Sequence, residues 1–98
     1  MHISSWRELV AAVRMGKYAD GGYPLFYVTQ DGQALSYDHV RAEILDEARK
    51  VRTGERERIV ACDVNWEDPA LYCDASGERI ESAYAEHMYG DDAEPAQS

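Results

Sequence analysis

The run from Tyr23 to Ser36, Y-P-L-F-Y-V-T-Q-D-G-Q-A-L-S, most narrows what this chain can fold into. Aromatic and β-branched side chains dominate Tyr23 to Gln30, and such residues fit a pleated, half-buried strand. Pro24 lacks an N–H, which confines it to the strand's start or to an edge. Asp31-Gly32 reads as a two-residue hairpin turn, and Gln33 to Ser36 as the returning strand. An antiparallel hairpin of this kind needs one face covered, and the flanking segments carry the helices to cover it.

Before the hairpin, Ser5 is placed to cap a helix, and Glu8 completes an S-x-x-E pattern. Trp6, Leu9, Val10 and Val13 recur at helical spacing and predict its apolar face. Gly16, followed by Gly21-Gly22, predicts where it stops. After the hairpin, Asp38 is the expected cap of a central helix from about His39. Its predicted apolar stripe is Val40, Ile44, Leu45, Ala48 and Val51, and Thr53-Gly54 is its predicted end. Ile59 to Val64 reads as a third strand with Cys62 buried in it. Asn65 to Pro69 is a predicted turn, Ala70 to Cys73 and Arg79-Ile80 are predicted short strands, and Ser82 is a candidate cap for a short C-terminal helix. The expected fold is α+β: a small antiparallel sheet of four or five strands, with an N-terminal, a central and a short C-terminal helix. Residues 1–90 form the expected single domain, and 91–98, D-D-A-E-P-A-Q-S, an acidic flexible tail.

Ninety-eight residues support one modest core, and 45% apolar with 30% charged residues is ordinary for a globular protein. No apolar run approaches the roughly 20 residues of a membrane span, and the N-terminus lacks the apolar core of a signal peptide. A cytoplasmic location is expected, with Cys62 and Cys73 as thiols.

The charge is unevenly spread. Up to residue 59 basic and acidic groups balance; from residue 60 onward ten carboxylates face the single Arg79, which places the whole net charge of −9 there. Such a field repels nucleic acid and attracts a basic surface. Asp63 to Glu86 joins that acidity to Trp66, Tyr72, Cys73 and Tyr84. No nucleophile–base–orienter pattern and no phosphate-binding glycine loop stands out, so the chain reads as a binding protein and not as an enzyme.

The blocks Y-P-L-F-Y-V-T-Q-D-G, D-V-N-W-E-D-P-A-L-Y and R-I-E-S-A-Y-A-E, spread over residues 22–86, resemble small proteins carried by bacterial phages, plasmids and integrated elements. Those proteins are similar to zinc ribbons, with one C-x-x-C after the hairpin and another after the L-Y. Here the two positions read Ser36-Tyr37-Asp38-His39 and Cys73-Asp74-Ala75-Ser76. Of the four ligand positions the resemblance implies, only His39 and Cys73 keep a good zinc donor, and two donors do not close a structural site. No metal and no cofactor is therefore expected. The spacing still implies that the two segments lie side by side, with Tyr23, Phe26, Tyr27, Trp66 and Tyr72 as candidates to replace the metal's contribution.

Two functions follow as expectations. In the first, Glu67, Asp68, Asp74, Glu78, Glu81 and Glu86 imitate a phosphate backbone toward a basic, nucleic-acid-binding groove, with Trp66 and Tyr72 as anchors. The mobile-element resemblance makes a CRISPR effector the natural target and the protein a monomeric anti-CRISPR inhibitor. In the second, the chain is an adaptor descended from a zinc ribbon, and its acidity serves solubility alone.

Overall fold

Strand β2 (Tyr23–Thr29) is the axis of the fold. The structure is a computed structural model that describes residues 1–19 and 21–83. Residues 84–98, with the expected C-terminal helix and tail, lie outside the described residues. The chain runs through helix α1 (Trp6–Met15), strand β1 (Tyr18–Ala19), β2, β3 (Ala34–Ser36), helices α2 (Tyr37–Ala42) and α3 (Ile44–Thr53), and β4 (Ile59–Val64). All pairings are antiparallel, which makes the fold α+β as expected. Strand β4 follows β2 from Leu25↔Val64 to Thr29↔Ile59, with an irregularity between Val28 and Thr29. Strands β1 and β3 share the opposite edge of β2, at Tyr18↔Pro24 and at Phe26↔Ser36 to Val28↔Ala34. Pro24 sits one residue into β2, where its carbonyl accepts from Asn65 N at 3.1 Å; it has no N–H to return to the Asn65 carbonyl, which accepts from Ala83 N at 2.8 Å instead.

The register sorts side chains to two faces. Tyr27, opposite Cys62, joins Leu35 and Ile59 in a core completed by Leu9, Ala12 and Val13 of α1 and Val40 of α2. Each large apolar side chain buried there stabilises the fold by about 1.5–3 kcal/mol. Ser5 caps α1, its Oγ accepting from Glu8 N at 3.2 Å, while the Glu8 carboxylate turns back to the backbone N–H and hydroxyl of Ser4. Gly16 ends α1 at φ 113°, a conformation that disfavours a side chain. The buried stripe of α1 is Leu9, Ala12 and Val13, one position around from the expected one. Trp6 lies at the rim with the Arg7 guanidinium over its ring at 4.7 Å.

Three expectations are corrected. The hairpin loop has three residues between Thr29 and Gln33, because the Thr29 hydroxyl takes the Gln33 N–H at 2.9 Å and widens the turn. The central helix begins one residue after Ser36, whose Oγ accepts from His39 N at 3.1 Å; Asp38 pairs instead with Lys17 at 3.2 Å. That helix is also broken at Glu43 (φ −108°, ψ 29°). The expected stripe is also corrected: Glu47, seven residues after Val40, three after Ile44 and four before Val51, shares their face and is only 2% exposed, whereas Leu45 points away from it and stands 86% exposed. Finally, the two short strands after Pro69 reduce to one isolated bridge, Tyr72↔Arg79, and the fourth strand of the sheet is β1. The backbone of His2 also bridges to Ala61, covering the outer edge of β4.

Candidate functional site

The acidic segment after β4 is held to the sheet by polar side chains. Asn65, buried, is its hub. Its side-chain N–H groups donate to the carbonyls of Asp68 (3.0 Å), Ile80 (3.3 Å) and Glu81 (3.1 Å). Its Oδ1 accepts from Asp68 N at 3.2 Å, closing an Asx-type turn, and its own carbonyl accepts from Ala83 N at 2.8 Å. One residue thus fixes both ends of the loop that carries the predicted site. The sequence marked Asn65 as the start of a turn; it held no sign of the long-range bonds.

Ser36, at the end of β3, fastens the middle. Its hydroxyl donates to Glu78 Oε1 at 2.9 Å, and Ser76 Oγ reaches the same oxygen at 3.3 Å. Cys73 is buried beside them, its Sγ accepting from Ser76 N at 3.5 Å. Burial acts to raise the Cys73 thiol pKa, yet the hydrogen bonds from Ser76 and Ser36 outweigh it and leave the pKa below the ordinary thiol value. Ser36, Cys73 and Ser76 are three of the four positions that the zinc-ribbon resemblance assigns to ligands, and they do lie together. The His39 imidazole is turned elsewhere, with Nε2 at 3.6 Å from Glu47 Oε2. Among the described residues no three His, Cys, Asp or Glu side chains are grouped so as to hold a metal ion.

The predicted contact residues divide by position. Trp66 is 43% exposed, and its ring meets Tyr23 at 4.7 Å between centroids. Glu67 and Asp68 are exposed on the Asn65 turn, where Asp68 Oδ1 also accepts from Ala70 N at 2.9 Å. Tyr72 is 52% exposed. Asp74 lies on the outer edge of β3, with Oδ2 accepting from Ala34 N at 2.8 Å and its own N–H donating to the Ala34 carbonyl. Glu78 and Glu81 line one concavity of about 350 Å3, together with Lys17, Asp38 and Arg79. Glu81 Oε1 accepts from the Tyr18 hydroxyl at 2.7 Å, and that bond, ahead of burial, holds the phenol above its ordinary pKa. Glu86 lies outside the described residues. Arg79 donates to the Pro69 carbonyl at 3.4 Å, tying the two halves of the loop.

Asp74, Glu78 and Glu81 each have one carboxylate oxygen engaged by the scaffold, which orients the group. A carboxylate oxygen has more than one acceptor direction, so these groups can still receive donors from outside. Lys17 and Arg79 make the Glu78–Glu81 concavity mixed in charge, a feature the linear sequence concealed for Lys17.

Compared with known proteins, the chain matches no family model, no curated protein and no solved structure. Among the described residues, no helix is long and apolar enough to cross a membrane.

Proposed function

We propose that this is a non-enzymatic acidic binding protein of a mobile genetic element, acting in the bacterial cytoplasm against a basic, nucleic-acid-binding host surface. The most concrete form is an anti-CRISPR inhibitor that occupies an effector complex as a DNA mimic. The observation that carries the reading is the exposed, hydrogen-bond-oriented set of carboxylates at Asp68, Asp74, Glu78 and Glu81, beside the exposed Glu67. Carboxylates held in place lose less conformational entropy on meeting Lys or Arg than free ones do. Trp66 and Tyr72 supply exposed aromatic surface in the same segment. The predicted partner is protein, with no direct contact to nucleic acid.

The adaptor reading has its own support: Ser36, Cys73 and Ser76 are gathered around Glu78 as a metal-free remnant of a ribbon would gather them. Isosteric neutralisation separates the two. The combined variant Glu67→Gln, Asp68→Asn, Asp74→Asn, Glu81→Gln removes four charges and leaves an acceptor oxygen on each side chain. Affinity capture on a purified CRISPR effector, eluted in a salt gradient, gives the readout. Under mimicry the wild type is retained, is released by moderate salt or duplex DNA, and the variant binds at least tenfold more weakly. No retention of the wild type, or equal retention of both proteins, overturns the proposal.

A further inference from the structure

We infer that the groove between helices α1 and α3 is a docking site for an amphipathic helix of a partner protein, one whose apolar face is bordered by carboxylates. This inference does not rest on the mimicry reading. It concerns the part of the chain whose formal charges balance, residues 1–59, and not the acidic segment that follows. The groove, about 370 Å3, is floored by Trp6 and Val10 of α1 and by Ile44, Leu45 and Ala48 of α3.

Each of the two helices carries more apolar surface than the sheet covers. Helix α1 buries Leu9, Ala12 and Val13, which leaves Trp6 36% exposed. Helix α3 packs Ile44 and Val51 against the core and leaves Leu45 outside it. The two surpluses meet in one groove instead of being scattered, and contiguous exposed apolar surface marks an interaction site. A groove between two packed helices is shaped to take the side-chain ridge of a third, whose anchors recur at i, i+3, i+4 and i+7.

The charge around the groove sets the partner's chemistry. Among the described residues, its charged lining groups are the guanidiniums of Arg49 and Arg52, and no carboxylate lines it. Arg49 is paired with Asp46 and Glu55, whereas Arg52 makes no ion pair among the described residues. On the α1 side the exposed Arg7 guanidinium lies over the Trp6 ring, a stacking that leaves its N–H edge open to an acceptor. Cations thus stand on both sides of an apolar floor, and a carboxylate flanking the apolar face of an incoming helix completes a charge-assisted hydrogen bond with either. A lipid surface suits the site less: the groove is concave, and an anionic headgroup layer would repel a chain of net charge −9.

The test follows the indole N–H signals of Trp6 and Trp66 by NMR while a designed, end-capped helical peptide is added at constant ionic strength. The peptide carries leucines at i, i+3, i+4 and i+7 with glutamates on both flanks. A saturable shift at Trp6, with Trp66 unmoved, is expected. Leu45→Glu, at a position exposed enough to leave the fold intact, should weaken binding at least tenfold, and Arg52→Glu severalfold. Lysines in place of the peptide's glutamates should weaken it severalfold as well. Equal binding of the same residues in scrambled order, or indifference to these variants, overturns the inference. So does a Trp6 shift that appears on raising the protein concentration alone, which makes a second copy the occupant. A Trp6 shift produced by phosphatidylcholine–phosphatidylglycerol vesicles and not by the peptide overturns it in favour of a membrane. Failure of the protein to bind a CRISPR effector leaves this result unaffected, so the two proposals fail separately.

Discussion

The two parts of this molecule are held by different forces. Residues 1–64 fold around apolar side chains placed by helical and strand periodicity, with Leu9, Val40, Tyr27 and Ile59 fully buried at the centre. Residues 65–83 have two short anchors in that core, Cys73 and Ile80, and otherwise depend on buried polar side chains. Asn65 and Ser36 do there what packing does elsewhere. Apolar burial is non-directional and tolerates small shifts. A buried polar hub is directional and fails when one atom changes. The candidate contact surface is thus built on the part of the chain whose geometry is set by hydrogen bonds.

That contrast can be broken by mutation, and the largest effect is expected in the core. Leu9→Ala leaves a cavity under α1 and should cost about 3 kcal/mol, read as a lower urea midpoint with an unchanged slope. It should loosen both parts together, because both rest on the same cluster. Next comes Asn65→Ala, which removes the donors to three carbonyls and should cost about 2 kcal/mol. Its mark is local: hydrogen exchange at Cys73, Ile80 and Ala83 should accelerate far more than at Tyr27 and Cys62. Equal acceleration everywhere would erase the distinction between the two parts.

The smallest effect is expected at Tyr27→Phe. The Tyr27 hydroxyl is buried beside Cys62 without a well-formed hydrogen bond, so its loss at neutral pH should change stability by less than about 1 kcal/mol. The pH dependence sharpens the point. Burial, followed by the Cys62 contact, raises the Tyr27 pKa far above its ordinary value. Below about pH 10 the phenol is neutral in both states; above it the unfolded chain ionises while the folded one does not. Stability is therefore full below pH 10 and falls as pH rises beyond it, and Tyr27→Phe should reduce that fall. Identical alkaline unfolding of both proteins would place the sensitive group elsewhere.

How much was legible can be judged from single residues. Ser5 and Gly16 bound α1 as their chemistry predicts, and Ile59–Val64 is a strand with Cys62 buried. The exposure of Glu67, Asp68, Asp74, Glu78 and Glu81 follows from their charge. Their fixed orientations do not, since the donors come from Ala34, Ser36 and Tyr18, up to 63 residues away. The lone Arg79 was visible as an exception to the acidity, but its role in tying the loop to Pro69 was not.

By itself, the sequence determined the α+β class, the hairpin, the cap of α1 and the concentration of charge after residue 59, because each depends on neighbours along the chain. Tertiary structure alone decided the break at Glu43 and the hub at Asn65, whereas the inward Glu47 and outward Leu45 already follow from their spacing to Val40, Ile44 and Val51. At Asn65 a polar side chain answers to partners that the fold brings near. Periodicity assumes an unbroken helix and an apolar interior. The buried amide of Asn65 is stable here because carbonyls 15 and 16 residues away meet it.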